Sequence, residues 1–239
     1  DDMRRRTAWI ALYGWLSVVV LTIAWNPIWA ESPATVSSSA RGAGGDEDAI
    51  AQGRRLERSR KWLEAIEYYE TAVKAAPQSE ELAYGLRRSK ICFGIDRRYT
   101  DKSFRSQLLG VSRSEAMRLF DEVLSSVMGK YVDPISVTEY TSHGTESLYL
   151  ALNDDRFRDA HVPHHLRGRI AGFRNRLREE FWNRPVATRD AGRQLIGHIA
   201  DLAEQQLQVP GTAVVMEYIF GGCNVLDDYS GYLTPSRLN

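Results

Sequence analysis

The sequence predicts an all-α fold, and three observations carry that prediction. Apolar residues recur at helical spacing through most of the chain, alternating strand patterns are nearly absent, and helix-opening and helix-breaking residues punctuate the pattern. The composition is that of a globular protein: 239 residues, 43% apolar and 26% charged. With 31 basic and 31 acidic residues the formal net charge is zero, which gives no electrostatic footprint for nucleic acid. The two cysteines, Cys92 and Cys223, cannot build a disulfide scaffold, and neither stands in a C-x-x-C metal spacing.

At the amino terminus, Arg4, Arg5 and Arg6 precede Thr7 to Trp25, a run without a charge. That is the pattern of an export signal or a membrane anchor, with the arginines holding its start on the cytoplasmic side. Residues 1–30 are therefore expected to be a signal peptide cleaved after Ala30, or an anchor helix in the inner membrane spanning residues 7–25. In both cases the remainder is expected to be exported to the periplasm or another extracytoplasmic space. Residues 31–45 are small, polar and glycine-rich, the composition of a flexible linker. Outside the cytoplasm Cys92 and Cys223 are free to pair or to remain as two buried thiols, and the sequence leaves both open.

From Asp46 the pattern is helical. Asp46 is expected to cap a helix reaching about Arg60, with Ile50, Gly53 and Leu56 on one face. Lys61 to Ala76 repeats apolar residues at Trp62, Ala65, Ile66, Tyr69, Ala72 and Val73, one face of a second helix that Pro77 ends. Ser79 to Phe93 reads as a third helix through Leu82, Leu86 and Ile91. Gly53, Leu56, Trp62, Ala65, Tyr69, Ala72 and Pro77 stand at the spacing of a tetratricopeptide repeat, which this segment resembles. The resemblance implies that Gly53 and Ala65 let paired helices approach while Tyr69 fills the space between them. A lone repeat cannot bury its open face, so the hairpin over 46–93 is expected to pack on its third helix as a cap.

Residues 94–112 carry mixed charge and turn formers and read as a connector. Ser112 and Glu115 then make a capping box for a helix with Ala116, Leu119, Phe120, Val123, Leu124, Val127 and Met128 on its apolar face. It is expected to stop at Tyr131-Val-Asp-Pro134, because proline disfavours helix at the residue before it. Further helices are expected at Val137–Leu152, Pro163–Trp182 and Thr188–Gln208, and a last one from Pro210 towards Leu226.

No motif in these helices assembles an active site. His161 and His165 are four apart, but Pro163 lies between them and argues against a helical metal pair, leaving a polar loop. Asp154-Asp155, Glu179-Glu180 and Asp227-Asp228 read as solvated acidic pairs. There is no phosphate-binding glycine loop and no G-x-S-x-G, so no catalytic, metal or cofactor-binding residue is assigned and no cofactor is expected.

The tail is the most distinctive segment. After Gly221 and Gly222, the sequence Leu226-Asp227-Asp228-Tyr229-Ser230-Gly231-Tyr232-Leu233-Thr234-Pro235 reads as an aromatic turn. Leu226, Asp227, Tyr229, Ser230, Tyr232, Leu233 and Pro235 resemble the segment ahead of the PDZ domain in carboxy-terminal processing, or tail-specific, serine peptidases. The family usually carries proline where this chain has Asp228. Leu119-Phe120-Asp-Glu-Val123-Leu124 with Tyr131-Val132-Asp133-Pro134 is similar to the first helix of the same family's amino-terminal region, so residues 153–209 look like a helical insertion. The resemblance covers residues 113–239 and implies a helical, non-catalytic portion of an exported protease that acts on other exported proteins. It also implies that the family's PDZ domain and its catalytic serine and lysine lie beyond Asn239, in a longer chain of which this is a fragment. Its partners would be protein substrates, its own downstream domains and a second copy in a homo-oligomer. The alternative is a periplasmic helical adaptor that holds a protein partner without enzymatic activity.

Overall fold

The structure, a computed structural model, describes residues 42–131 and 134–226, and every regular element among them is a helix. The expected signal or anchor segment and the tail beyond Leu226 lie outside the described residues. Among the described residues no helix is long and apolar enough to cross a membrane.

Helices α1 (Gly42–Arg58), α2 (Trp62–Ala75) and α3 (Glu80–Thr100) come first. Several expected boundaries are corrected here. α1 begins at Gly42, inside the stretch read as linker, so Asp46 lies within the helix rather than capping it. It ends at Arg58, and Arg60 takes a left-handed φ of 56° to turn the chain into α2. α3 does not stop near Phe93, because Ile91, Ile95 and Tyr99 carry a buried stripe at four-residue spacing on to Thr100. The stretch 94–112 is thus no plain connector: it holds the end of α3 and a π-helical turn, Phe104–Leu108, that buries Phe104 and Leu108.

α4 (Arg113–Lys130) and α5 (Val137–Ala151) each open on a capping box. In each, a serine hydroxyl accepts from the glutamate N–H three residues on, and that glutamate accepts from the serine N–H: Ser112 with Glu115, Ser136 with Glu139. α6 (Asp155–His161) has no counterpart in the sequence reading, since seven residues are too few to show a period. Asp154 caps it by accepting from the N–H groups of Arg156 and Phe157. The helix expected over 163–182 is a composite of a 3-10 segment (His164–Arg169), α7 (Ile170–Arg176) and a π-helical turn (Leu177–Phe181). The changes of pitch keep Leu166, Ile170, Phe173, Leu177 and Phe181 all buried. α8 (Arg189–Leu207), capped by Thr188, and α9 (Gly211–Gly222) complete the body, and a 3-10 turn, Cys223–Val225, leads to Leu226.

The core is centred on α9, whose 12 residues are all buried. α5, α4 and α8 pack around it. The approach of α5 requires glycine: a Cβ at Gly221 would lie 2.8 Å from the His143 carbonyl oxygen, and one at Gly222 would lie 2.1 Å from the Tyr140 ring. The Tyr140 hydroxyl fixes the same seam by donating to the Ile219 carbonyl at 3.0 Å. The stretch 153–209 contributes α8 to this core, so its packing is that of an integral part of the body. Cys92 and Cys223 are both free thiols; burial pushes Cys92 up to about 12 and Cys223 up to about 11, so each stays protonated and unreactive at neutral pH.

Candidate functional site

In the hairpin, the ring of Tyr69 fills the space left by two glycines. A Cβ at Gly53 of α1 would lie 2.2 Å from the ring, and one at Gly85 of α3 would lie 2.5 Å from it. Ala65 is fully buried beside it, while Leu56, Trp62 and Ala72 are half-buried and Pro77 is exposed in the turn before α3. Gly85 takes no part in the repeat pattern quoted above, which ends at Pro77. Of the tail motif, Leu226 is half-buried at the end of the 3-10 turn. Asp227, Tyr229, Ser230, Tyr232, Leu233 and Pro235 lie outside the described residues.

The polar centre of the body is Glu217, the one charged residue of α9, with no solvent exposure. Its Oε2 accepts from Arg98 Nη2 at 2.7 Å and from Ser147 Oγ at 2.7 Å, and its Oε1 accepts from the Tyr99 hydroxyl at 3.1 Å. These partners tie α9 to α3 and α5. The Arg98 guanidinium also stacks 4.8 Å from the centre of the Phe220 ring. Burial raises the Tyr99 hydroxyl well above the usual tyrosine range, with the Glu217 charge adding to the effect. A carboxylate with both oxygens engaged and no exposure cannot meet a substrate; its chemistry here is to fix the rotation and height of α9 against α3 and α5.

A second cluster sits at the α1–α2 turn. Arg60 Nη2 bonds Asp96 Oδ1 at 2.5 Å and Asp154 Oδ2 at 2.8 Å, joining the turn to α3 and to the start of α6. Arg156 reinforces it, its Nε 3.1 Å from Asp96 Oδ1 and its Nη1 donating to Thr100 Oγ1 at 2.7 Å. The acidic pair read as solvated therefore divides. Asp155 stays exposed, whereas Asp154 is buried, because it both caps α6 and pairs with Arg60.

The histidine cluster divides as well. His164 and His165 are exposed beyond Pro163, but His161 packs edge-on against Tyr99 and Phe157, ring centres 5.6 and 5.0 Å away. Its Nε2 is buried without a hydrogen-bond partner, and burial lowers its pKa to about 4. The unfolded chain, with an ordinary histidine pKa of about 6.5, therefore binds more protons than the folded one between those values. Stability is expected to fall as pH falls through that window, by up to about 3 kcal/mol from this residue. Urea unfolding of the His161→Phe variant at several pH values checks it: the variant should lose that part of the slope, and an unchanged slope refutes the assignment.

Among the described residues no group of three histidine, cysteine, aspartate or glutamate side chains could hold a metal ion. An open polar recess of about 380 Å³ is lined by Asp121, Thr188, Arg189 and Asp190. Its hydroxyl, on Thr188, already accepts from the Ala191 N–H as the cap of α8, and Asp121 is paired with Arg193. The recess thus presents no nucleophile with a neighbouring base. Compared with models of protein families, with curated proteins and with solved structures, the chain gives no match.

Proposed function

We propose that this chain is the amino-terminal, non-catalytic helical portion of an exported carboxy-terminal processing serine peptidase, with a tetratricopeptide-like hairpin fused ahead of it. Its role is to position a downstream PDZ domain and serine–lysine site that receive protein substrates. The reading rests on the two sequence resemblances, and one packing observation supports it. α4, which carries Leu119 to Leu124, lies directly against α9, which leads to the tail motif at Leu226, although residues 131–210 separate the two helices in sequence. Phe120 of α4 meets Tyr140 at 5.9 Å, and Tyr140 in turn bonds α9, so both segments belong to one body.

The test is the reading frame of the gene beyond Asn239. A continuation into a glycine-rich PDZ-like stretch and a later serine and lysine is expected. An immediate stop codon would overturn the peptidase reading in favour of the adaptor, which a specific partner in a pull-down would then identify. The chain itself is expected to leave an unfolded exported protein intact on incubation, and metal-independent cleavage would contradict a non-catalytic role.

A further inference from the structure

The seam between α1 and α3 is built from charges of alternating sign. Arg54, Glu57 and Arg60, three residues apart, meet Glu81, Arg88 and Asp96 of α3 in the same order. Arg54 Nη2 lies 2.5 Å from Glu81 Oε1. Glu57 accepts two bonds from Arg88, at 3.1 and 2.8 Å, and a third from Ser89 Oγ at 2.9 Å. Arg60 closes the ladder on Asp96 at 2.5 Å and reaches past α3 to Asp154 at 2.8 Å. A slip of one rung would oppose like charges, so the ladder sets the register of the two helices.

Beyond α3 the rest of the chain makes only slight contact with this pair of helices, although α2 packs closely along α3 and its Glu70 pairs with Lys90 at 3.4 Å. α1 and α2 make their main contacts with each other and with α3, and the buried apolar part of that contact is Tyr69 between Gly53 and Gly85, with Ala65 and Leu82. The body, by contrast, is closed around the fully buried α9. An element with few buried apolar contacts and a charged seam opens at lower free energy than the core beside it. The outer rung is also open to solvent, its two side chains 52% and 51% exposed, so dissolved salt screens it.

We propose that α1 and α2 form a docked arm, latched to the α3–α9 body by this ladder and opening as a unit when the ladder is weakened. Opening uncovers the face of α3 that carries Leu82, Gly85 and Ser89. Arg60 is the main latch, because its guanidinium alone joins the arm to two elements, α3 and the start of α6.

Hydrogen–deuterium exchange of the full chain, read by segment, tests the latch. Arg60→Ala is expected to speed exchange of residues 47–75 about tenfold, as loss of charge-assisted bonds implies, with α4 and α9 changed by less than about twofold. Raising ionic strength to about 1 M, where the screening length is about 3 Å, is expected to act on the wild-type chain in the same direction. Asp154→Asn, which keeps a capping side chain but removes the charge, should also loosen the arm. Arg54→Glu should loosen it, and adding Glu81→Arg should restore it. The proposal is overturned if exchange in residues 47–75 is unchanged by Arg60→Ala and by salt, if α4 and α9 accelerate equally, or if the reversed pair fails to restore protection.

Discussion

Glu217→Ala is expected to cost about 3–5 kcal/mol of folding stability, because it leaves the Arg98 guanidinium buried with no counter-charge. Arg98 is only 7% exposed and Glu217 not at all, so neither group can recover the loss by turning to water. Ser147 and Tyr99 lose their acceptor in the same step. The Nε of Arg98 is already buried without a partner, which leaves the cation no second acceptor at that atom. Denaturation in urea measures the effect as a lower midpoint with the slope retained. The paired control is Arg98→Met with Glu217→Leu, which removes both charges and keeps the volume. That double variant is expected to lose clearly less than Glu217→Ala, because no charge is left unpaired, although the Ser147 and Tyr99 hydroxyls still lack their acceptor. A loss below about 1 kcal/mol in Glu217→Ala would mean that the pair does not hold α9, and the positioning role given to it would fall.

The second large effect concerns Tyr69. Tyr69→Ala is expected to cost about 3–5 kcal/mol, the range for removing a large buried aromatic ring. Two glycines, Gly53 and Gly85, face the ring, so α1 and α3 have no side chains there to fill the space. Tyr69→Phe should behave differently. The hydroxyl is buried and makes no hydrogen bond of standard geometry, although the Arg88 guanidinium lies close enough for a weak one and the Glu57 charge also acts on it. Removing it relieves a desolvation cost, so the phenylalanine variant is expected to match or exceed the wild-type melting temperature. A Tyr69→Phe variant that falls as far as Tyr69→Ala would show that the hydroxyl, not the ring, holds the hairpin.

Both predictions mark where sequence reading succeeds and where it stops. Tyr69 and Gly53 were legible because they lie on consecutive helices at a repeat spacing, and periodicity reports a face. Gly85 was not, since nothing local distinguishes a glycine required by a neighbour's ring from one that is merely tolerated. Glu217 was hidden by its surroundings: one acid in an apolar helix looks like a polar edge, and its partners Arg98 and Tyr99 lie about 120 residues earlier. Asp154 was misread for the same reason, as Arg60 is 94 positions away.

What the sequence determined by itself was the helical class, most helix positions, the capping box at Ser112 and the apolar faces, all of which depend on residues within about two turns of one another. Only the tertiary structure decided that α9 runs buried through the centre, that Glu217 and Arg98 neutralise each other there, and that Arg60 joins the hairpin to the body. The physical reason is range. Caps and amphipathic faces arise from near neighbours, whereas burial of a charge is tolerable only when a distant side chain arrives to pair with it, and no local pattern records that arrival.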